Sequence, residues 1–417
     1  MMRRILFFCI ILSCFTVSSQ EVVKTMFYNL LEFPSASPTG RPGILKDILN
    51  TYNPDIFMVC ELQSEFGAEQ ILNTSLNEDE AIYSQAPFVY NQSGNNTSLQ
   101  QLLYFRSDKF SLESTDIIVN DIRDINRYQL KLNTVDQDVD PVFIDIFVTH
   151  LKSSQGTDNQ NIRLGMVTEF TDYLETIDPN SFVIFAGDFN VYTASEPAYQ
   201  ELLDNTNSIV LKDPINTSGS WHNNDFFQDI HTQSTRINSG PFGAGAGGGL
   251  DDRFDFILIS ENMESNPNLR YISETYKSYG NNGNCYNNDI NSVDCFGDFD
   301  DSLRNNLFNM SDHLPVVMEL ETDKEFMILN AEDEIFNQDL LQIEQTVVQN
   351  KLHINLHPSV QEFFTIEIYN TLGQKLIQRT KVNSETITID VSHLPQGMYF
   401  MKSSLKNNNL IKFIKTS

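Results

Sequence analysis

Apolar residues along most of the chain fall into short runs separated by helical patterns. Val22 to Leu30 reads as a strand that opens the mature chain. Gly43 to Tyr52 carries Ile44, Leu45, Ile48 and Leu49 at helical spacing, and Pro54 stops it. Asp55 to Leu62, Leu102 to Arg106, Val142 to His150, Ser181 to Ala186, Phe254 to Ser260 and Leu314 to Leu320 are apolar runs of strand length. Arg163 to Ile177 predicts an amphipathic helix with Leu164, Val167, Phe170 and Leu174 on one face. Strands and helices mixed in this way predict an α/β fold with both sheet faces covered. Two stretches read as loops. Residues 239–249 are glycine-rich without the lysine of a P-loop, and predict a flexible loop bordering a site. Residues 279–301 are rich in Asn and Asp and are either a solvated loop or a structural Ca²⁺ site.

The ends follow other rules. Arg3 and Arg4 precede an apolar run from Ile5 to Phe15, and Val17-Ser18-Ser19 supplies small residues before Gln20. This predicts a secretory signal peptide over 1–19; the run is short of the roughly 20 residues of a membrane span. Ile11-Leu12-Ser13-Cys14 also resembles a lipoprotein-processing site. No later apolar run is long enough to span a membrane, so the mature chain is expected to be soluble, without a stable membrane span, and a monomer. In an oxidising compartment Cys285 and Cys295 are expected to pair, and Cys60 to be a small buried apolar side chain.

Charge narrows the function. The 417 residues carry 56 acidic against 27 basic side chains, net −29. Residues 328–417 hold 9 acids and 8 bases, which leaves 47 acids and 17 bases between the leader and that tail. That count argues against binding of nucleic acid through a broad basic face.

The apolar runs end in polar residues of one chemical kind. Val183-Ile184-Phe185-Ala186 runs into Gly187-Asp188-Phe189-Asn190, delivering two polar side chains onto one face. Ile56 to Cys60 ends in Glu61, Phe143 to Val148 in Thr149-His150, and Phe27-Tyr28 in Asn29. Arg253-Phe254-Asp255 enters one strand and Ser311-Asp312-His313 precedes another. A single strand-end Asp is an ordinary turn or cap. Several segments each ending this way describe a site, because layered α/β folds gather sites at strand ends. Oxygen donors from Asn29, Glu61, Asp188, Asn190, Asp255 and Asp312 suit Mg²⁺ or Mn²⁺. His150 and His313 can move protons near neutral pH. These are the parts that hydrolysis of a phosphate ester needs.

In this order and spacing, Asn29, Glu61, Thr149-His150, Gly187-Asp188-Phe189-Asn190, Asp255 and Ser311-Asp312-His313 resemble the endonuclease/exonuclease/phosphatase superfamily. The resemblance implies a four-layer α/β sandwich over residues 20–322, with the site at one end of two packed sheets. It implies that Glu61 is the principal Mg²⁺ ligand, with Asn29 and Asp312 nearby. Asp188 and Asn190 would position and polarise water or phosphate. His313, oriented by Asp255, would contact the scissile phosphate or act as base. His150 would contact a phosphate oxygen or protonate the leaving group. The glutamate that pairs with the first histidine in deoxyribonucleases is missing, since Leu99, Gln100 and Gln101 precede the matching strand. Basic DNA-gripping positions have no clear counterparts either. Lys152, Arg163 and Arg253 are candidate phosphate contacts, with a structural ion pair the other reading of Arg253. Trp221 either stacks on a base or sugar or anchors its loop.

After a polar linker, 323–345, residues 346–417 alternate as strands. Asn370-Thr371-Leu372-Gly373 reads as a hairpin turn between them. This module resembles the type A sorting domain of type IX secretion, a small β-sandwich, which implies the type IX machinery as partner and a secreted or outer-surface location. The whole chain then reads as a secreted, Mg²⁺- or Mn²⁺-dependent phosphodiesterase, first a nuclease for extracellular DNA or RNA. A sphingomyelinase-like phosphoester hydrolase is the second reading, with Phe226-Phe227 the nearest candidate for membrane contact. A non-catalytic calcium-binding surface protein is the third.

Overall fold

The structure, a computed structural model, describes residues 20–94, 99–240, 242–327, 341–343, 345–356, 364–371, 373–381, 386–404 and 411–416. The leader 1–19, with Cys9 and Cys14, and most of the linker lie outside them. The chain divides into two units, Met1–Met327 and Ile328–Ser417.

The first unit contains the strands β1 (Glu21–Phe33), β2 (Ile56–Leu62), β3 (Tyr83–Gln85), β4 (Gln100–Arg106), β5 (Phe110–Ile118), β6 (Ile125–Leu132), β7 (Phe143–His150), β8 (Phe182–Asp188), β9 (Leu211–Lys212), β10 (Asp255–Ser260), β11 (Arg270–Tyr271), β12 (Lys277–Ser278) and β13 (Val316–Thr322). One sheet runs β11-β13-β1-β2-β4-β3, with β12 also on β13; the other runs β5-β6-β7-β8-β10-β9. Each sheet is centred on a parallel pair, β1 with β2 and β7 with β8, flanked by antiparallel strands. Period-2 alternation sets the layers. Val183 and Phe185 of β8 join Phe147, Phe256 and Leu258 under the helix α3 (Thr157–Leu174), through its Met166, Val167, Phe170 and Leu174. Ile184 and Ala186 point the other way and join Ile146, Ile257 and the first sheet's Phe27, Phe57 and Met58. Leu45, Ile48 and Leu49 of α1 (Arg41–Tyr52) and Leu303, Leu307 and Met310 of α5 (Asp301–Met310) belong to that same cluster. The short α2 (Glu65–Gln70) and α4 (Pro197–Leu202) complete the helices. The order helix, sheet, sheet, helix is the four-layer α/β sandwich.

Helix α3 starts at Thr157, earlier than its apolar spacing predicts, because its first turns are Thr-Asp-Asn-Gln-Asn and carry no apolar signal. Arg163 lies on the buried face of α3. Its guanidinium binds Glu196 Oε2 from Nη2 at 2.7 Å and donates to the Lys152 and Ser154 carbonyls, so it is no surface phosphate contact. In residues 279–301, Cys285 and Cys295 are disulfide-bonded. The amides there serve the backbone: Asn282 Nδ2 donates to the Cys295 and Phe299 carbonyls, and Asn281 Nδ2 to those of Gln228 and His231. No group of three carboxylate or imidazole ligands occurs in this segment among the described residues, so the expected structural Ca²⁺ gains no support. Cys60 is buried. No described helix is long and apolar enough to cross a membrane.

Phe326 still pairs with Thr134 in the first unit, past the boundary expected at 322. The second unit has one sheet of β14 (Leu341–Ile343), β16 (Lys351–Leu356) and β19 (Thr386–Asp390). Its other sheet orders β15 (Val347–Val348), β21 (Ile411–Lys415), β20 (Gly397–Ser403), β17 (Phe364–Asn370) and β18 (Lys375–Lys381). Strand β14 falls inside the stretch expected as linker. Leu352, Ile354, Ile366, Ile368, Ile389, Met401 and Phe413 from both sheets share one core. The β17–β18 turn closes on Asn370, whose Oδ1 accepts from the Gln374 amide at 2.9 Å.

Candidate active site

Strand register brings the polar strand ends into rows. In the second sheet His150 pairs with Asp188, and Asp188 with Asp255, so three adjacent strands present them side by side. Gly187 permits this approach: a Cβ there would lie 2.4 Å from the Thr149 carbonyl oxygen. Asn190 turns the chain after β8 in the left-handed region at φ 53°, which Asn tolerates. In the first sheet Asn29 pairs with Cys60, and the β1–β2 register shifts immediately afterwards. Glu61 occupies that irregularity at φ 61°, a strained conformation for a glutamate. It carries the carboxylate off the sheet row towards the facing sheet.

Asn29 ties the sheets together. Its Nδ2 lies 3.1 Å from Glu61 Oε1 and 3.1 Å from Asp188 Oδ2. Its Oδ1 accepts from the Leu31 amide. The Ser311 hydroxyl donates to the Asn29 carbonyl and accepts from the His313 amide, which seats the Ser-Asp-His loop on β1. His313 Nδ1 lies 2.7 Å from Asp255 Oδ2. His150 Nε2 is 3.5 Å from Asp188 Oδ2 and 3.9 Å from Glu61 Oε1, and its Nδ1 is buried without a partner. The glycine-rich loop borders the site: the Ala246 amide donates to Asp312 Oδ2 at 2.6 Å.

Electrostatics separate the titrating groups. Burial pushes Asp188 up to about 8, against the pull of His313. Burial also raises Glu61, and Asp312 adds to the effect. Burial, then Arg123 and His313, hold His150 well below the usual histidine range, so it is neutral. Burial alone would lower His313, but Asp255 first, then Asp312 and Asp188, hold it well above that range. The amide nitrogens of Gln233 (2.6 Å) and Asn29 (3.4 Å) both face Nε2 of His313. The raised pKa keeps the ring largely protonated near neutral pH; once Nε2 has lost its proton, with Nδ1–H kept on Asp255, it is a strong proton acceptor.

Asn29, Glu61, His150, Asp188, Asn190, Asp255, Asp312 and His313 therefore come together. Two expected substrate contacts do not join them. Trp221 is fully buried: its Nε1 donates to the Thr217 carbonyl and its ring packs against Tyr199 and Phe256, so it anchors the loop. Arg253 is buried over the rings of Trp221, Phe256 and Tyr276 and forks onto both oxygens of Asp213 at 2.8 and 2.9 Å, the structural ion pair. Sequence reasoning missed Gln233 and Arg123. Gln233 also reaches Asp312 Oδ2 at 3.2 Å. Arg123 Nη1 donates to the carbonyls of His150 and Leu151, and its charge acts on Glu61 and Asp188. Both lie in polar segments without apolar periodicity.

The donor set fits a divalent cation. Glu61, Asp188, Asp255 and Asp312 meet here with no lysine or arginine ion-paired to any of them among the described residues. Asp312 Oδ1 is buried without a partner. Buried carboxylates left in this state call for a cation or protons. Two groups of ligand atoms, Glu61-His150-Asp188 and Asp188-Asp255-His313, are close enough to share one.

Residues 348–416 match the family model described as the secretion system C-terminal sorting domain. This domain marks cargo of type IX secretion, so the chain is exported and is secreted or surface-attached. No curated protein matches the chain. Among solved structures, the human Nocturnin catalytic domain with bound sulfate is 17% identical over 72% of this chain and 97% of its own, at a TM-score of 0.43. TDP2 of D. rerio, complexed with single strand DNA product, is 15% identical over 72% and 99%, at 0.45. An endonuclease/exonuclease/phosphatase family protein from Bacteroides thetaiotaomicron is 14% identical over 73% and 96%, at 0.44.

Proposed function

We propose that the exported chain is a divalent-metal-dependent phosphodiesterase, and within that class a nuclease acting on extracellular DNA or RNA. The observation that carries this reading is the bridge made by Asn29, 3.1 Å from both Glu61 and Asp188, which joins the metal-ligand candidates of one sheet to the proton-transfer groups of the other. Glu61, with Asn29 and Asp312, would hold Mg²⁺ or Mn²⁺. Such an ion, when bound, neutralises charge on the phosphoryl oxygens. Asp188 and Asn190 orient the attacking water: the Asn190 amide donates to Asp188 Oδ1 at 3.1 Å, which fixes that carboxylate. His313 accepts the water proton at Nε2, with Asp255 holding the ring. His150, kept neutral, donates a hydrogen bond from Nε2 to a phosphoryl oxygen rather than a proton to the leaving group. Arg123 supplies fixed positive charge behind it.

The test is a supercoiled-plasmid assay on the full chain with Mg²⁺ or Mn²⁺ against EDTA. Nicking should require metal and fall at least about 10³-fold in Asp188→Asn. An intact plasmid with folded protein would refute the nuclease reading. Sphingomyelin would then be the next substrate, since Phe226 is 80% exposed.

A further inference from the structure

We infer that His222, Asp251 and Asp252 form a second divalent-cation site, separate from the strand-end cluster and sharing none of its residues. One ligand atom from each lies within 4.8 Å of the other two. His222 Nδ1 is 2.7 Å from Asp252 Oδ1. Asp252 is only 8% exposed, and among the described residues that imidazole is its sole side-chain partner. No described residue hydrogen-bonds or ion-pairs with the Asp251 carboxylate. A nearly buried carboxylate beside a second one, with no lysine or arginine paired to either, is an incomplete electrostatic arrangement, and a cation completes it.

The backbone holds these carboxylates in place. The Asp252 carbonyl accepts from the Thr232 and Gln233 amides at 2.7 and 3.0 Å, and the Gln233 carbonyl accepts from the Asp251 and Asp252 amides at 2.9 and 2.8 Å. The Asn223 amide, beside His222, donates to the Asp251 carbonyl at 2.8 Å. The set is thus preformed on loops clamped together. One imidazole with two carboxylates suits Zn²⁺ or Mn²⁺ better than Mg²⁺.

The same contacts place the site at the rim of the cleft. His222 Nε2 is 3.1 Å from Gln155 Nε2, on the segment that follows His150. The His222 ring meets Tyr192, two residues beyond Asn190, at 5.2 Å between centroids. Gln233, which clamps Asp252 through its backbone, reaches His313 with its side chain. An ion here would meet a phosphate next to the one at the strand ends. That consequence rests on the phosphodiesterase reading; cation binding itself does not.

The test is calorimetric titration of the full chain with Zn²⁺, with Co²⁺ absorption as a second readout. Wild type should bind one equivalent that Asp251→Asn and His222→Ala each lose or weaken at least tenfold. Glu61→Gln should keep it. Asp251→Asn removes a carboxylate without a partner, so its fold should survive, and circular dichroism checks this. Unchanged stoichiometry and affinity in both rim variants overturns the site. Loss in the rim variants alone, with Glu61→Gln indistinguishable from wild type, upholds the rim site and counts against the strand-end metal reading.

Discussion

Asp255→Asn tests the link between geometry and chemistry most directly. Asp255 is fully buried and its Oδ2 lies 2.7 Å from His313 Nδ1, itself buried. Its carboxylate does more than any other group to raise the His313 pKa. The amide keeps the size and removes the charge. A hydrogen bond to a charged group contributes about 1.5–3 kcal/mol, and burial of both partners favours the upper end. About 1.4 kcal/mol corresponds to a factor of ten in rate, so kcat should fall roughly a hundredfold.

The pH profile carries the second half of this prediction. With the carboxylate gone, the His313 pKa falls, because Asp255 raises it. The acid limb of kcat should therefore move to lower pH while the plateau drops. Weakening the buried 2.7 Å bond to His313 should also lower stability by about 1.5–3 kcal/mol, so the unfolding curve shows whether the variant is folded under the assay conditions. The assay is hydrolysis of bis(p-nitrophenyl) phosphate over pH 5 to 9 with Mn²⁺, with thermal unfolding run in parallel. A kcat within about threefold of wild type and an unmoved acid limb would refute the base assignment and leave Asp255 a purely structural residue.

Two further outcomes follow from buried groups outside the reaction. Trp221→Phe loses the hydrogen bond to the Thr217 carbonyl and packing against Tyr199; urea unfolding should show about 1–3 kcal/mol less stability with KM unchanged, whereas a raised KM would restore the stacking role. Burial lowers the His231 pKa, so the folded state binds its proton less readily than the unfolded state. Its stabilising contribution is present above the unfolded value of about 6.5 and is lost as pH falls below it. His231→Gln should flatten the fall of the unfolding midpoint between pH 7 and 5, leaving the part due to His150; an identical slope would contradict this.

Much of the fold was legible because the buried strands are continuous apolar runs and end abruptly. The run Val183 to Ala186 gives no hint of which residue faces which layer, yet its end at Gly187-Asp188 marks the site. The same reading failed where a side chain's partner comes from a distant segment. Arg253 is flanked by site residues in sequence, but Asp213 claims it. Trp221 lies in a polar stretch typical of a substrate loop, but the cavity it fills is made by Tyr199 and Phe256. Gln233 left no signal at all, because an amide in a polar loop has no periodicity to read.

The acidity of the chain finds its meaning in where the basic residues go. Lys46, Arg106, Lys109, Arg127, Lys131, Arg163, Lys212, Arg253, Arg270, Arg304 and Lys324 are all ion-paired to carboxylates. Arg41 donates to the backbone carbonyls of Leu30, Leu31 and Met310, and Arg236 is buried on the Phe242 ring. Arg123 and Lys152 remain near His150, where both depress its pKa. Among the described residues of the first unit, the basic ones outside these contacts are few: Lys24 on the Tyr52 carbonyl, the exposed Lys277, and Arg123 and Lys152 beside the strand-end site. A polyanion approaching it would meet a mostly acidic surface, its repulsion screened beyond about 8 Å at physiological salt. On the proposed reading, divalent cations held by the carboxylates would supply further attraction, and the same acidic groups that argue against a basic binding face would be the means of holding them.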